Sequence, residues 1–195
     1  MWGRVAFAYL IVSRLAYVLG VGIALTQQER HQSLTRRHGV TGGYDRFRRF
    51  STWLMVNDSV AFIALNIVTI DTMHLAVPRS VQIAAGLAIG IFGIAVKTWA
   101  TARLGPSSYY WHNFFVPKVP VPPDPPGPYR FLKNPMYVVG YLQTYGLALV
   151  CASFYGMVAS LFMQATILVF NELVEKPHYE ALVRNAANGD GVATA

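Results

Sequence analysis

The sequence predicts an all-α integral membrane bundle of about five transmembrane helices. Three observations support this fold class: 54% of the 195 residues are hydrophobic, only 13% are charged, and the mean hydropathy is +0.36. Soluble domains carry roughly 25% charged residues, so the composition argues against a soluble enzyme or binding module. The single cysteine, Cys151, precludes an intrachain disulfide and lies in an apolar stretch, where it is most simply a packing residue.

Apolar stretches long enough to cross a bilayer follow one another along the chain. The first three predicted spans cover residues 3–26, 51–70 and 80–102. Residues 136–170 then form a 35-residue stretch without a charged side chain. One helix of that length would measure about 50 Å, which is too long for a hydrocarbon core of about 30 Å. We therefore expect two spans, 136–152 and 156–172, with a turn near residues 153–156.

The distribution of positive charge predicts the orientation of these spans. Arginine and lysine are concentrated in residues 27–50, in residues 97–133 and in the tail, whereas the alternate connections carry almost none. By the positive-inside rule, the N-terminus lies outside and the C-terminus lies in the cytoplasm. Topology and contact with anionic lipid headgroups account for the net charge of +7, so we expect no nucleic-acid partner.

This pattern predicts one membrane domain over residues 1–182 and a disordered tail over residues 183–195. The first stretch lacks a small-residue cleavage pattern and contains Arg14, so we expect a span there and not a signal peptide. The expected location is a bacterial inner membrane or a membrane like that of the endoplasmic reticulum.

The segment 127–140 is the first candidate site. It reads Gly-Pro-Tyr-Arg-Phe-Leu-Lys-Asn-Pro-Met-Tyr-Val-Val-Gly, a basic, aromatic and proline-broken stretch that leads into the fourth predicted span. Irregular backbone at a membrane face is costly unless it lines a water-filled or ligand-filled site, so we expect a binding site here. The prolines of residues 116–128 predict a stiff, non-helical segment, either a spacer or a cover over a cavity.

Polar residues near or within the spans are further candidates. Arg14 and Asp58 could pair inside the bundle, mainly as a structural contact. Glu172 and Glu175 are spaced i, i+3 and share a helix face near the membrane boundary, where each carboxylate needs a cation or a ligand as partner. Pro177 is expected to end that helix.

Residues 103–113 form a second polar patch, just after the third predicted span. An aromatic belt at the membrane interface would explain its tyrosines and tryptophan without a ligand. Alternatively, Gly105 and Ser107 could bring backbone N–H groups close to a bound anion. Lys97, near the end of the span, is expected to snorkel toward the interface.

The order of these elements resembles the phospholipid methyltransferase superfamily, which includes phosphatidylethanolamine N-methyltransferases and isoprenylcysteine carboxyl methyltransferases. The resemblance covers residues 100–182 and rests on four elements in order. These are Arg103-Leu-Gly105, then Lys133-Asn-Pro-Met-Tyr137 with Gly140, then an uninterrupted helical hairpin, then Glu175-Lys-Pro177. The Asn-Pro-Met-Tyr form is nearer to the phosphatidylethanolamine branch.

The resemblance implies a methyltransferase that binds S-adenosylmethionine on the cytoplasmic side and acts on a lipid or another hydrophobic acceptor, with a phospholipid amine favoured. It implies that Asn134, Pro135, Tyr137 and Gly140 line the cofactor pocket. The acidic pair maps either onto Glu172 and Glu175 or onto Glu175 and Lys176. We add three residues of the neighbouring polar segments to the expected cofactor site: Arg103, Gly105 and Arg130.

An amine acceptor must lose a proton before or during methyl transfer, and the candidates to accept it are His112 and Glu175. No metal site is expected.

Two alternative functions remain open at this point. Gly105-Pro106-Ser107 stands where the phosphatidylethanolamine branch carries Gly-x-Gly, and Lys176 stands in place of a second acid. Both differences favour a non-catalytic subunit of a larger membrane complex. The Gly86-x-x-x-Gly90 spacing also supports close packing against another helix, in such a complex or in a homo-oligomer. The second alternative is an isoprenylcysteine-type carboxyl methyltransferase. The sequence leaves the methyl acceptor open.

Overall fold

A computed structural model describes residues 1–116 and 127–187, and within these ranges the chain is helical without a β-strand. The helices are α1 (Trp2–His31), α2 (Ser33–Val68), α3 (Arg79–Tyr109), α4 (Pro135–Val138), α5 (Leu142–Val150), α6 (Phe154–Phe170) and α7 (Lys176–Ala187). Short 3₁₀ turns cover His112–Phe114 and Gly127–Arg130, and a π-helical turn covers Asn171–Glu175. Most of the proline-rich segment predicted at 116–128 lies outside the described residues.

The prediction of an α-helical membrane bundle is confirmed. Within the described ranges, four helical segments are long and apolar enough to cross a membrane: Trp2–His31, Ser33–Val68, Arg79–Gly105 and Phe154–Asn185. The chain is thus an integral membrane protein.

The fourth predicted span, 136–152, is not one helix but α4 and α5, separated by a turn at residues 139–141. The two short helices run antiparallel to α3, since Gly140 lies against Lys97 while Arg79 donates to the carbonyl oxygen of Val150 at 2.8 Å. The length of α3 between Lys97 and Arg79 is about 27 Å at 1.5 Å per residue. The broken helix therefore follows α3 across most of the apolar thickness. The turn after α5 ends at Ser153, the N-cap of α6.

The glycines of α3 pack against α5 of the same chain. A Cβ atom at position 146 would lie 2.5 Å from the carbonyl oxygen of Gly86 and 2.6 Å from the backbone nitrogen of Gly90. A Cβ atom at position 93 would lie 2.5 Å from the backbone nitrogen of Gln143. The glycine spacing is therefore used for a close helix contact, as the sequence predicts, and the partner of this contact is internal.

The first two helices are longer than the predicted spans 3–26 and 51–70, because the basic residues 27–50 are helical as well. Only Gln32, with a φ of 49°, separates α1 from α2, and Gly39, with a φ of 72°, kinks α2. The Gln28 carboxamide oxygen accepts the N–H groups of Leu34 and Thr35 and so satisfies the start of α2. The arginine-rich stretch thus extends both helices beyond their apolar parts.

The predicted pair of Arg14 and Asp58 is confirmed and lies in the bundle core. The Arg14 guanidinium, only 1% exposed, donates to Asp58 Oδ2 at 2.9 Å and to the Tyr141 hydroxyl at 2.7 Å. It also donates to the Thr166 hydroxyl and to the Met163 carbonyl oxygen. One side chain thereby joins α1, α2, α6 and the turn before α5, an arrangement that satisfies a charge which would otherwise be expensive inside a membrane.

The prediction that Pro177 ends the last helix is wrong. The Lys176 N–H bonds the Asn171 carbonyl oxygen in the π-helical turn, and α7 begins there with Pro177 in its first turn. A proline is tolerated at this position because the first N–H groups of a helix have no partner within the helix. Helix α7 continues to Ala187, beyond residue 182, and is docked by His178, whose ring stacks on Phe114.

Candidate functional site

The centre of the candidate site is the Glu175 carboxylate, which accepts three side-chain hydrogen bonds. The Trp111 indole N–H and the Tyr137 hydroxyl donate to Oε1, the latter at 2.7 Å, and the Asn171 amide donates to Oε2 at 2.6 Å. The Asn171 carboxamide oxygen in turn accepts the Asn134 amide at 2.7 Å. We call these five residues the Glu175 cluster. A carboxylate has about four acceptor sites, so about one remains for a ligand donor.

Local structure explains why Asn171 and Glu175 can meet. Both lie in the π-helical turn between α6 and α7, and they are its first and last residues. Such turns are rare and occur frequently at functional sites, because the extra residue turns side chains that a regular helix would point elsewhere. The sequence signal for this turn is Pro177, which removes the N–H that a continuous α-helix would need.

The Asn-Pro-Met-Tyr segment supplies the other side of the cluster. Asn134 precedes a proline and is therefore held out of the helical region, with a φ of −136°, while the buried Pro135 begins α4. Asn134 lies at the helix N-cap, yet its side chain bonds Asn171. One helical turn then brings the Tyr137 hydroxyl to Glu175.

Gln164 of α6 stabilises the break between α4 and α5. Its amide donates to the carbonyl oxygens of Tyr137 and Val138 at 3.1 and 3.0 Å, and its carboxamide oxygen accepts the Tyr145 hydroxyl. These carbonyl groups lack their usual helical partners because the helix is interrupted. Gly140 follows at a position where a Cβ atom would lie 3.1 Å from the Lys97 Cβ. The break therefore holds Tyr137 in place.

Trp111 has an unusual backbone conformation. Its φ of 55° lies in the left-handed region, which is a genuine outlier for a bulky residue. Edge-to-face contacts with Phe47 and Phe170 hold its ring, with centroids 6.1 and 5.8 Å apart, and its indole N–H bonds Glu175. Backbone strain of this kind costs of order 1–3 kcal/mol and is concentrated at functional sites, which supports the assignment of a site here.

A cavity of about 50 Å³ adjoins the cluster. Its lining residues come from α1, α2, α3, α4, α6 and the turns beside them, and are Tyr17, Met55, Lys97, Tyr109, Trp111, Met136, Tyr137, Tyr141 and Ile167. Pockets for small molecules usually measure about 300–1,000 Å³, so a ligand of nucleoside size requires these side chains to move apart. The aromatic faces can attract a cation, and Lys97 lines this cavity instead of extending to the interface as expected.

The 3₁₀ turn at Gly127–Arg130 packs beside the same site. Gly127 has a φ of 71°, which strains any other residue, and a Cβ atom there would lie tightly against the indole nitrogen of Trp99 at 3.0 Å and the Arg103 Cγ at 3.1 Å. Burial, and secondarily the nearby Glu175 carboxylate, raises the pKa of Tyr129. The Tyr129 phenol is therefore neutral at physiological pH and can donate a hydrogen bond.

The other sequence-predicted site residues lie outside the cluster. Glu172 is exposed and pairs with Lys176 at 2.7 Å. Arg103 and Arg130 are exposed, and Gly105, with a φ of 77°, marks a kink in α3. The His112 ring contacts Tyr44, with centroids 4.5 Å apart, and is absent from the cavity lining. The structure thus brings together Asn134, Pro135, Tyr137, Gly140 and Glu175, and leaves the remaining candidates at the periphery.

Two members of the cluster, Asn171 and Trp111, were not predicted as site residues. Asn171 precedes Glu175 by four residues, so the i, i+4 spacing could have identified it. Trp111 lies in the patch that an aromatic belt also explains, and nothing in the sequence indicates its left-handed backbone or its bond to Glu175.

Comparison with known proteins gives one family match. The family described as phospholipid methyltransferase matches residues 81–185, which include α3, the whole Glu175 cluster and most of α7. No solved structure matches the chain.

Several curated yeast proteins are similar over most of the chain. A phosphatidylethanolamine N-methyltransferase of Zygosaccharomyces rouxii is 25% identical over 213 residues, covering 91% of this chain and 25% of the relative. Phosphatidylethanolamine N-methyltransferase 1 of Vanderwaltozyma polyspora is 27% identical, covering 86% and 24%. A phosphatidylethanolamine N-methyltransferase of Saccharomyces cerevisiae is 29% identical, covering 74% and 16%. The chain thus spans about a quarter or less of the length of these relatives.

Proposed function

The chain belongs to the phospholipid methyltransferase family, and we propose that it catalyses S-adenosylmethionine-dependent methylation of a membrane-partitioned acceptor, with a phospholipid amine as the favoured substrate. The observation that carries this proposal is the Glu175 cluster beside an aromatic cavity within the matched region. The printed names of the yeast relatives support the acceptor class. Transfer of a methyl group to an amine requires a site of this kind, polar at one end and shielded from water.

The chemistry of the donor set fits the cofactor. S-adenosylmethionine offers ammonium and ribose hydroxyl donors, which suit the remaining acceptor site of Glu175, and a cationic sulfonium, which suits the aromatic faces of Tyr137 and Trp111. Pro135 and Gly140 would shape the pocket, and Arg103, Gly105, Arg130 and Glu172 would contribute from its periphery. When bound, this cofactor supplies an electrophilic methyl group.

The residues of the chain have two tasks in this proposal. The aromatic lining excludes water and aligns the acceptor with the methyl donor. Because the methyl group of the cofactor is already electrophilic, this alignment is the main requirement on the protein. An amine nucleophile must be neutral, and the Glu175 carboxylate, which accepts the hydroxyl of the cavity-lining Tyr137, can take its proton. Its one remaining acceptor site would serve either the cofactor or the amine, and not both at once. His112 is placed against Tyr44, so a direct role for it would need movement of the 3₁₀ turn that carries it.

The topology proposed from the positive-inside rule puts the site on the cytoplasmic side, with the N-terminus outside and the C-terminus inside. The arginines of α1 and α2 would then face anionic headgroups of the same leaflet. They are Arg30, Arg36, Arg37, Arg46, Arg48 and Arg49. The membrane would be a bacterial inner membrane or one like the endoplasmic reticulum.

A non-catalytic subunit is the alternative, and one of its supports is weaker than the sequence suggests. The Gly86-x-x-x-Gly90 spacing packs against Gly146 of the same chain, so it is not free for a larger complex or a homo-oligomer. An isoprenylcysteine-type acceptor remains the alternative within the enzyme class. Lipid mass spectrometry of cells with and without the protein would distinguish these acceptors.

The test is calorimetric titration of the purified protein with S-adenosylhomocysteine. We expect wild-type binding and a loss of affinity of about tenfold or more for Glu175→Gln, since a hydrogen bond to a charged group is worth about 1.5–3 kcal/mol. Glu180→Gln, at an exposed site on α7, is the matched control and should bind like wild type. The affinity of Glu172→Gln for S-adenosylhomocysteine, compared with that of Glu175→Gln, shows which of the two candidate glutamates binds the ligand. Absence of wild-type binding would refute the enzyme proposal.

A further inference from the structure

Lys97 lies at an unusual place for a lysine in a membrane helix. It follows Gly93 by one helical turn on the face of α3 that packs against the α4–α5 break, and its Cβ lies where Gly140 leaves room for it. It precedes Gly105, where α3 kinks, by eight residues, a distance of about 12 Å along the helix. Its side chain lines the cavity, and Nζ lies 6.0 Å from the centre of the Tyr141 ring. The ammonium group therefore faces the site and not the lipid.

The charge of Lys97 is not balanced by the residues around it. Arg14, whose guanidinium carbon lies 5.7 Å from the centre of the Tyr141 ring, is paired with Asp58. Among residues 1–116 and 127–187, Lys97 forms no ion pair with a carboxylate. An unpaired cation that lines a cavity inside a membrane bundle is costly and is usually functional. The cavity therefore has a place for an anionic group.

The packing of the helices indicates where that group would enter. Helix α3 packs against α4 and α5, whereas α1 and α2 pack against each other and against α6. The cavity wall consequently has two parts. Tyr17 and Met55 belong to α1 and α2, and Lys97 and Tyr109 belong to α3. A headgroup that enters from the membrane between these two parts meets the Lys97 ammonium beside the Glu175 cluster.

We propose that Lys97 binds the phosphodiester group of the acceptor phospholipid and so positions the headgroup amine. This inference rests on the proposed function, because it assigns the acceptor subsite of the same site. A compact ammonium suits a phosphate oxyanion as a point charge. In an ethanolamine lipid two carbons separate the phosphate from the amine, so a phosphate at Lys97 leaves the amine free to reach Tyr137 and Trp111, which line the same cavity.

This assignment has a consequence for specificity. A lipid with a phosphodiester is retained by charge, whereas a neutral amphiphile of the same chain length is not. Lys97 is thus a positioning and specificity residue, and Glu175, which bonds the cavity-lining side chains of Trp111 and Tyr137, has a separate role. The carboxylate of the cofactor has the same oxyanion chemistry, and its binding by Lys97 is the outcome that the experiment must distinguish.

The experiment measures binding by the tryptophan fluorescence of the full chain in detergent, since Trp111 lines the cavity. The three probes are dioctanoyl phosphatidylethanolamine, dioctanoyl phosphatidylmethanol and dioctanoylglycerol. The second has the phosphodiester without the amine, and the third has neither. Calorimetry with S-adenosylhomocysteine is done on the same samples. The variants are Lys97→Met, Lys97→Arg, which restores a cation, and the exposed control Lys133→Met.

We expect Lys97→Met to weaken binding of both phosphodiester lipids by at least about tenfold. Its affinity for dioctanoylglycerol and for S-adenosylhomocysteine should be unchanged, Lys97→Arg should recover part of the loss, and Lys133→Met should match wild type. A loss confined to S-adenosylhomocysteine would assign Lys97 to the cofactor and overturn the proposal. Equal lipid affinities, or a change only in melting temperature, would overturn it as well. If wild type binds no S-adenosylhomocysteine, the proposed function fails, while the lipid titrations still decide the role of Lys97.

Discussion

Removal of Asp58 while Arg14 is retained should destabilise the protein far more than removal of both. Arginine cannot lose its proton in a protein, so Asp58→Leu leaves a charge in the core with only neutral partners. These are the hydroxyls of Tyr141 and Thr166 and the carbonyl oxygen of Met163. Breaking a buried pair in this way costs about 3–5 kcal/mol. For a chain of this size we expect the melting temperature to fall by roughly 6–20 °C.

The double variant Arg14→Met/Asp58→Leu should recover most of this loss, because replacing a buried ion pair by apolar side chains is often neutral or stabilising by about 1–4 kcal/mol. Asp58 Oδ1 is buried without a hydrogen-bond partner among the described residues, which lowers the net benefit of the pair. Melting is followed by tryptophan fluorescence in one detergent at pH 7. Asp45→Ala is the matched control, since its pair with Arg48 spans 3.7 Å and is about half exposed, so its loss should cost less than about 1 kcal/mol.

The reasoning fails if Asp58→Leu is as stable as wild type, or if the double variant is no more stable than Asp58→Leu. In the first case Arg14 finds another anion or water. In the second case the three hydrogen bonds of the guanidinium to Thr166, Tyr141 and Met163, and not its pairing with Asp58, determine the stability of this region. The double-mutant cycle separates these explanations because it isolates the coupling between the two side chains.

Three further predictions concern the site and the helix contact that supports it. Tyr137→Phe keeps the ring but removes one donor to Glu175, so S-adenosylhomocysteine affinity measured by calorimetry should fall about tenfold; unchanged affinity would contradict the cluster. Gly146→Ala should lower the melting temperature by several degrees, since its Cβ would overlap the backbone of Gly86. The control Gly42→Ala, whose Cβ would make only an ordinary contact at 3.5 Å, should be neutral or stabilising. Equal effects of the two variants on the melting temperature would be inconsistent with close packing of α3 and α5. His112→Ala should retain methyl transfer within about tenfold, because a positioned acid or base contributes about 10²–10⁴-fold, and a larger loss in a radiolabel assay would establish a catalytic role.

The membrane class was predictable because it depends on composition, whereas the expected five spans became four long apolar helices and the broken pair α4 and α5. The break at residues 139–141 was not predictable. The length of an apolar run divides it into spans but gives no information on a break inside one span, and this break is stabilised from α6 by Gln164, 24 residues after Gly140. The sequence did not predict that the basic residues 27–50 extend α1 and α2 as helix. A charged stretch between two apolar spans predicts a loop, and the capping of α2 by Gln28 is visible only in the structure.

The site was predictable where one short segment carries the signal. Asn134, Pro135 and Tyr137 lie within four residues of sequence, and Glu175 was expected from the Glu175-Lys-Pro177 element and from the helix face it shares with Glu172. The choice between Glu172 and Glu175 needed the π-helical turn, because both glutamates share the face of a regular helix. The bonding partners of Glu175 also depend on segments 38 and 64 residues away, and a pattern along one helix cannot identify contacts of that separation.

The Glu175 cluster and the Arg14 pair depend on the same helices, so stability and site geometry should respond together to changes in packing. Tyr141, which bonds Arg14, follows Tyr137 by one turn, and Ile167 of the cavity lies beside Thr166, which also bonds Arg14. The contact of Gly146 with Gly86 leaves no space between α5 and α3. A shift of α5 along α3 would therefore also displace Tyr141, which directly precedes α5, and Tyr137 before it. The small cavity must nevertheless open for a ligand. Because α3 packs mainly against α5, while α1 and α2 pack against each other and against α6, opening should separate α3 from α1 and α2 and leave the glycine contact that fixes α5 intact.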